Sequence, residues 1–206
     1  GDGDSSFVQN PTHVYTNDGT YTVTLIVSNV SGSDTLSSTI DINTSGNGIT
    51  PTCTPSTLNN CCGFGITNVT FNTLNSTTLD GSVGYEDLSC QLGTTVIEGQ
   101  TYQITINASS SSPGQNNIRA WIDFNNDGYI SNTTELVFSA DNTLIATGSI
   151  YIPTGSALNT PLRMRVSNDY IFEPIPTPCS DLIRGQSEDY SVTILSNTYP
   201  PTANFS

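Results

Sequence analysis

Three observations on this 206-residue sequence predict an all-β protein built as an antiparallel sandwich. Apolar residues recur at every second position, turn formers separate the runs, and no window carries helical spacing. The first run has Tyr21, Val23, Leu25 and Val27 alternating with Thr22, Thr24, Ile26 and Ser28, between the turns Asn17-Asp18-Gly19 and Ser31-Gly32-Ser33. After Glu98-Gly99 come Tyr102, Ile104 and Ile106, alternating with Gln103 and Thr105. Between Pro113-Gly114 and Asp127-Gly128, Ile118, Ala120, Ile122 and Phe124 alternate with Arg119, Trp121 and Asp123. Past Thr154-Gly155, Leu162, Met164 and Val166 alternate with Arg163 and Arg165, and Tyr190, Val192 and Ile194 form the last run. Each run is expected to turn one face to a core and the other to solvent.

Charge narrows the function classes. The sequence has 4 basic residues against 18 acidic ones, for a net charge of −14. All the basic residues are arginines: Arg119, Arg163, Arg165 and Arg184. Such a surface repels phosphate backbones and anionic headgroups, so nucleic-acid binding is not expected. No apolar run approaches the roughly 18 residues of a membrane helix, so membrane insertion is not expected either. No signal peptide opens the sequence, and both ends read as cut from something longer. Only 11% of residues are charged; Thr, Ser and Asn take the outward strand positions, as in extracellular β-proteins.

Five cysteines, Cys53, Cys61, Cys62, Cys90 and Cys179, form no CxxC pair, and a single histidine completes no Cys/His zinc set. They read as disulfides made in an oxidising compartment, with one thiol left over and the pairing open. Asn-x-Ser/Thr triplets at Asn29, Asn43, Asn68, Asn75, Asn107, Asn132 and Asn204, and Asp34-Thr35-Leu36, are short glycosylation candidates.

Polar, Gly-rich composition marks a linker over 45–52, and a second break follows residue 195. The segment before the linker carries Gly1-Asp2-Gly3, Pro11-Thr12-His13-Val14-Tyr15, Gly19-Thr20-Tyr21-Thr22-Val23 and Ser28-Asn29 with Gly32. On these residues 1–44 resembles the C-terminal half of a PKD domain, an immunoglobulin-like sandwich, which implies that Tyr21, Val23, Leu25 and Val27 fill a core. The 196–206 stretch, with its PPTANFS ending, resembles a linker and the first strand of a further PKD-like domain. Tandem repetition is expected from this arrangement. An open sheet edge is also a template for strand addition, so neighbouring copies or domains of the same protein are the expected partners.

The 53–195 domain carries Cys61-Cys62-Gly63-Phe64-Gly65-Ile66, Gly84-Tyr85-Glu86-Asp87, Trp121-Ile122-Asp123-Phe124-Asn125-Asn126-Asp127-Gly128, Arg163-Met164-Arg165-Val166 and Gly185-Gln186-Ser187-Glu188-Asp189-Tyr190. On these it resembles a GEVED domain, with Gln186-Ser187 standing where that family has Glu-Val. The resemblance implies a jelly-roll or Ig-like β-sandwich from a large secreted or surface protein of bacteria.

One loop carries site chemistry. Asp123, Asn125 and Asp127 alternate, the Tyr129 carbonyl follows, Gly128 permits a sharp turn, and Glu135 stands one position later than an EF-hand glutamate would. Ca2+ takes six to eight oxygens, and alternate side chains of a loop supply them. The resemblance also points to cation binding here; the competing reading is an Asx-rich turn without metal. Glu188 and Asp189 are expected to pair with Arg163 or Arg165, with metal ligation as the alternative. Trp121 is expected to pack against a neighbouring sheet or domain, with sugar stacking as the alternative. His13 is expected to be structural, and no catalytic set emerges. The chain is therefore expected to be a non-catalytic, calcium-stabilised structural or adhesion module, secreted or at the cell surface, and one period of a tandem-repeat fibre. The alternatives are a carbohydrate-binding accessory module of a secreted hydrolase, with surface glycans as partners, and a spacer within a secreted protease.

Overall fold

The computed structural model describes residues 2–9, 11, 13, 15, 19–30, 32–42, 50–59, 63–78, 83–110 and 115–197. Cys61, Cys62, most of the 45–52 linker, the 200–206 segment and all or part of the turns at 17–19, 31–33 and 113–114 lie outside them. Every regular element among the described residues is a strand. The chain divides into two compact units, residues 1–46 and 47–206.

The first unit is built on a hairpin of β1 (Gly19–Asn29) and β2 (Gly32–Ile42), antiparallel in the register Tyr21↔Ile40 and Leu25↔Leu36. Alternation sorts its two faces as the sequence predicts. Val23, Leu25, Val27, Leu36 and Ile40 share one face with Tyr21, and Thr22, Thr24, Ser37 and Thr39 share the other. The apolar face fills no core here: Leu25 is 59% exposed and Val23, Val27, Leu36 and Ile40 are likewise open. Among the described residues no second layer covers this two-stranded sheet, so the expected core packing is not met at Val23, Leu25 and Val27. Tyr21 is half-buried, with its ring 4.3 Å from that of Tyr15.

The second unit is a sandwich. One sheet runs β10 (Ile145–Tyr151), β7 (Thr101–Ala108), β3 (Ile66–Phe71), β4 (Leu74–Thr77). The other runs β5 (Tyr85–Asp87), β12 (Gln186–Leu195), β11 (Pro161–Tyr170), β8 (Asn116–Ile122), β9 (Leu136–Thr143), with β6 (Gly93–Ile97) also on β12. Val69, Phe71, Ile104, Ile106 and Ile150 from the first sheet meet Ile118, Ile122, Leu162, Met164, Val166, Val192 and Ile194 from the second in one buried cluster. Each such side chain contributes roughly 1.5–3 kcal/mol when fully buried.

Two features depart from the sequence reading. The ladders are antiparallel except at one edge, where β5 and β6 both pair parallel with β12. Alternation does not distinguish the two pairings, because both keep a period of two. Second, β8 is buried at every position and β11 at all but its two ends, so their outer faces do not meet solvent. Residues 50–59 and 171–184 cover that face. They are joined by the Cys53–Cys179 disulfide, 126 residues apart in sequence, and by the parallel bridge Thr57↔Leu182. Cys90 lies at an exposed position.

Candidate cation loop and the buried charge network

The loop begins where β8 ends. Asp123 donates its backbone N–H to the Arg163 carbonyl at 2.9 Å, which fixes the start of the loop on β11. At the other end Ile122 N donates to the Glu135 carbonyl at 3.1 Å, and Gly128 C=O accepts from Thr52 N at 2.8 Å. Between these anchors the chain turns through Asn126 at φ 55° and Gly128 at φ 82°. Gly128 therefore occupies the left-handed region that glycine adopts without strain.

The side chains of the five predicted ligands divide by burial. Asp123 and Glu135 are 1% and 4% exposed, whereas Asn125, Asp127 and Tyr129 are open to solvent. Asp123 accepts backbone N–H bonds from Asp127 (3.2 Å) and Gly128 (3.0 Å). Glu135 accepts from Phe124 N at 3.0 Å and Ser131 N at 2.7 Å. Asn125 and Asp127 bond one another, the Asn125 Nδ2 donating to Asp127 Oδ2 at 2.9 Å. These bonds are the Asx-turn pattern weighed against the metal. Among the described residues, the one set of three His, Cys, Asp or Glu side chains with ligand atoms within 4.8 Å of one another is Asp2, Asp4 and His13, all exposed. The three loop carboxylates stand further apart than that.

The donor set nevertheless fits a hard cation. Burial raises the Asp123 carboxyl above its ordinary value; the Gly128 and Asp127 amides oppose this and the Asp127 charge adds to it. Burial likewise raises Glu135, opposed by Ser131 N–H and reinforced by Asp123. Each carboxylate oxygen that accepts one N–H keeps a second lone pair. The four arginines are committed elsewhere: Arg119 to Asp141, Arg163 to Asp87 and Asp189, Arg165 to Asp189, Arg184 to Glu173. Two buried acids within electrostatic reach of one another thus have no cationic side chain paired to them among the described residues, and each retains lone pairs for a metal.

Period two puts Arg163, Arg165, Ser167 and Asp169 on the outer face of β11, opposite Ser191, Asp189 and Ser187 of β12. There Asp189, fully buried, takes a bidentate pair from Arg165, Nε to Oδ1 and Nη2 to Oδ2, each at 2.7 Å. Its Oδ2 also accepts from Arg163 Nη1 at 2.8 Å and from the Tyr85 hydroxyl at 2.7 Å. The remaining Arg165 nitrogen donates to the Pro178 carbonyl at 2.6 Å, beneath the disulfide, and the guanidinium lies 5.5 Å from the Tyr85 ring centre. Burial works against the Arg163 charge, but Asp189 and Asp87 outweigh it and hold the guanidinium above its usual value. Burial also pushes Asp87 up, yet the Ser89 hydroxyl and amide together with Arg163 hold it below the ordinary carboxylate range.

The expected pairing with arginine is met by Asp189 and not by Glu188. Glu188 follows the other parity and shares the core face with Val166 and Tyr190. Trp121 is fully buried, its Nε1 donating to Asn132 Oδ1 at 3.1 Å, so the cation loop roofs it and it offers no sugar platform. His13 is exposed, with Nε2 2.7 Å from Asp2 Oδ2 and its ring edge-on to Tyr15. Sequence reasoning missed Asp169, whose carboxylate, 1% exposed, accepts the backbone N–H groups of Tyr170, Ile183, Arg184 and Gly185. The parity that groups it with Arg163 and Arg165 was the available signal.

Residues 117–193 match the model of the GEVED domain, and residues 1–44 match that of the PKD domain. No curated protein matches the chain. PKD domains and disulfides are typical of extracellular proteins.

Proposed function

We propose that this chain, which carries a GEVED domain behind a PKD-type segment, is a non-catalytic structural module of a secreted or cell-surface protein, stiffened by calcium at the 123–135 loop. The observation that carries the reading is the pair Asp123 and Glu135: two buried carboxylates at a loop of oxygen donors, with all four arginines engaged elsewhere. Asp123, Asn125, Asp127, the Tyr129 carbonyl and Glu135 would hold the ion. When bound, it supplies the positive charge that the buried acids lack. The chain's own residues hold Asp123 on β11 and Glu135 on β8, so the loop closes on two strands of one sheet. Calorimetric titration with Ca2+ is expected to give one site of roughly 10⁻⁴–10⁻³ M, the range of extracellular modules. Asp127→Ala, which removes an exposed ligand while leaving Asp123 and Glu135 in place, is expected to abolish the heat. A titration with no heat at millimolar calcium contradicts the reading.

The partners proposed are neighbouring copies or domains of the same protein. The open apolar face of the β1–β2 hairpin supports this, since a face of that kind is stable only when covered. Electron microscopy of the native material is expected to show end-to-end particles. Isolated monomers at all concentrations would remove the assembly part of the reading.

A second reading, carbohydrate binding, is favoured by one observation. A cleft of about 280 Å³ beside the loop is lined by Phe124, Asn125, Thr134, Glu135, Thr154 and Ser156, an aromatic floor with a hydroxylic rim. Tyr129, 59% exposed, stands on the same loop. Binding of soluble oligosaccharides, lost in Phe124→Ala, would support it; no binding across a panel of neutral and acidic glycans would dismiss it.

A further inference from the structure

Among the described residues, Glu188 is the one fully buried acidic side chain on the core face of the sandwich. It is 0% exposed, between Gln186 and Tyr190 on β12 and opposite Val166 on β11. Its Oε2 accepts from the Tyr190 hydroxyl, while its Oε1 has no hydrogen-bond partner. Directly beside it on β5, in parallel register and on the same face, stands Glu86. Neighbouring strands lie about 4.8 Å apart, so two ionised carboxylates in this arrangement repel across the ladder. The arginines that bind Asp189 point to the other face of the sheet, and no ion pair reaches either glutamate among the described residues.

We propose that Glu188, buried in the core beside the carboxylate of Glu86, is a proton-binding carboxyl that makes the attachment of edge strand β5 depend on pH. With a proton held on Glu188, the core carboxyl is neutral and β5 stays zipped to β12. With the proton lost, two negative charges face one another at a three-residue parallel strand, the shortest pairing in the sheet. The groups that face Glu188 are Tyr190 on its own strand, Glu86 on β5 and Thr78 just past the end of β4, with Val166 opposite on β11; Ser76 of β4 faces the Tyr190 hydroxyl. Burial first of all raises the Glu188 carboxyl to about 7; the Tyr190 and Thr78 hydroxyls oppose this, and the Glu86 charge adds to it. An unfolded glutamate titrates near ~4.3. Between those values the folded state holds a proton that the unfolded chain has released. This contribution to stability is therefore full below ~4.3, falls as pH rises toward 7, and levels off above it. Release of β5 also frees Tyr85 and Asp87, which contact Asp189 and Arg163.

The test pairs a direct titration with a variant. Carbon-detected NMR of the wild-type chain, with its glutamate carboxyls labelled, is expected to show one glutamate with a midpoint near 7. Melting curves of wild type and Glu188→Gln, taken from about pH 4.5 to about pH 8.5, are expected to diverge by roughly 5–10 °C, with the variant the more stable at the alkaline end. Amide exchange at Tyr85–Asp87, corrected for intrinsic rate, is expected to rise over the same window in wild type and not in the variant. The proposal is overturned if every glutamate titrates below about pH 5, or if wild type and variant keep a constant difference across the window. It is equally overturned if calcium added to Asp127→Ala at the alkaline end restores stability, since the pair would then hold a metal rather than a proton. The titration needs no variant and does not depend on the 123–135 loop.

Discussion

Gly185 shows how closely one residue type is specified. A Cβ built there would lie 1.7 Å from the Asn168 carbonyl oxygen, backbone against backbone, while the Gly185 N–H donates to Asp169 at 3.1 Å. The chain crosses β11 at a distance that only glycine allows. Gly185→Ala is expected to destabilise the domain by about 3 kcal/mol or more, the scale of a forced backbone shift in a packed region, read by urea denaturation. Arg165 is equally specific, because its planar fork fits Asp189 with two parallel bonds and its third nitrogen reaches Pro178. A lysine offers a point charge in place of that fork. Arg165→Met, which leaves Asp189 without its bidentate partner, is expected to cost roughly 3–5 kcal/mol, the range for breaking a buried ion pair while its partner stays charged. Unchanged denaturation midpoints in either variant would contradict these assignments.

At the scale of elements, the outer cover of the larger sheet depends on covalent closure. Residues 50–59 and 171–184 pair through a single bridge and a few backbone bonds, and Cys53–Cys179 joins them. Closing a loop of more than a hundred residues restricts the unfolded chain by on the order of 4–5 kcal/mol in the chain-entropy account. Cys53→Ser with Cys179→Ser is expected to lower the melting temperature by roughly 8–20 °C, since each kcal/mol corresponds to about 2–4 °C at this size. The strands themselves were legible: alternation in 118–124, 162–166 and 190–194 located β8, β11 and β12. Period two assigns their outward faces to solvent, whereas 50–59 and 171–184 cover them. Packing of Trp121 is expected from its own chemistry, and a period of two records parity rather than what lies above a face. Parity also separates Glu188 from its neighbour Asp189: one residue along a strand reverses the face, so adjacent acids enter a core and an arginine network respectively. The cation loop was legible as a donor pattern, but its burial was not. Asp123 and Glu135 come together only because β8 and β9 are adjacent in the sheet.

Across the whole molecule, the two units differ in how their apolar surface is treated. The second unit buries its core between two sheets, whereas the hairpin of the first leaves Leu25, Val27 and Leu36 open. In the assembly proposed above, the sandwich would supply the stiffness and the open hairpin face would meet a neighbouring copy. With a charge of −14, copies repel at low salt, so contacts between them are expected to strengthen as salt rises. Sedimentation in low and high salt reads that directly; association weakened by salt would point to a charged interface in place of the apolar face. In the proposed module a divalent ion at the 123–135 loop offsets the charge of Asp123 and Glu135 and holds the sandwich rigid. The melting temperature of the intact chain at millimolar calcium and after chelation with EDTA tests this. A fall on chelation that calcium reverses and that Asp127→Ala abolishes is expected; identical melting curves with and without calcium would rule the ion out.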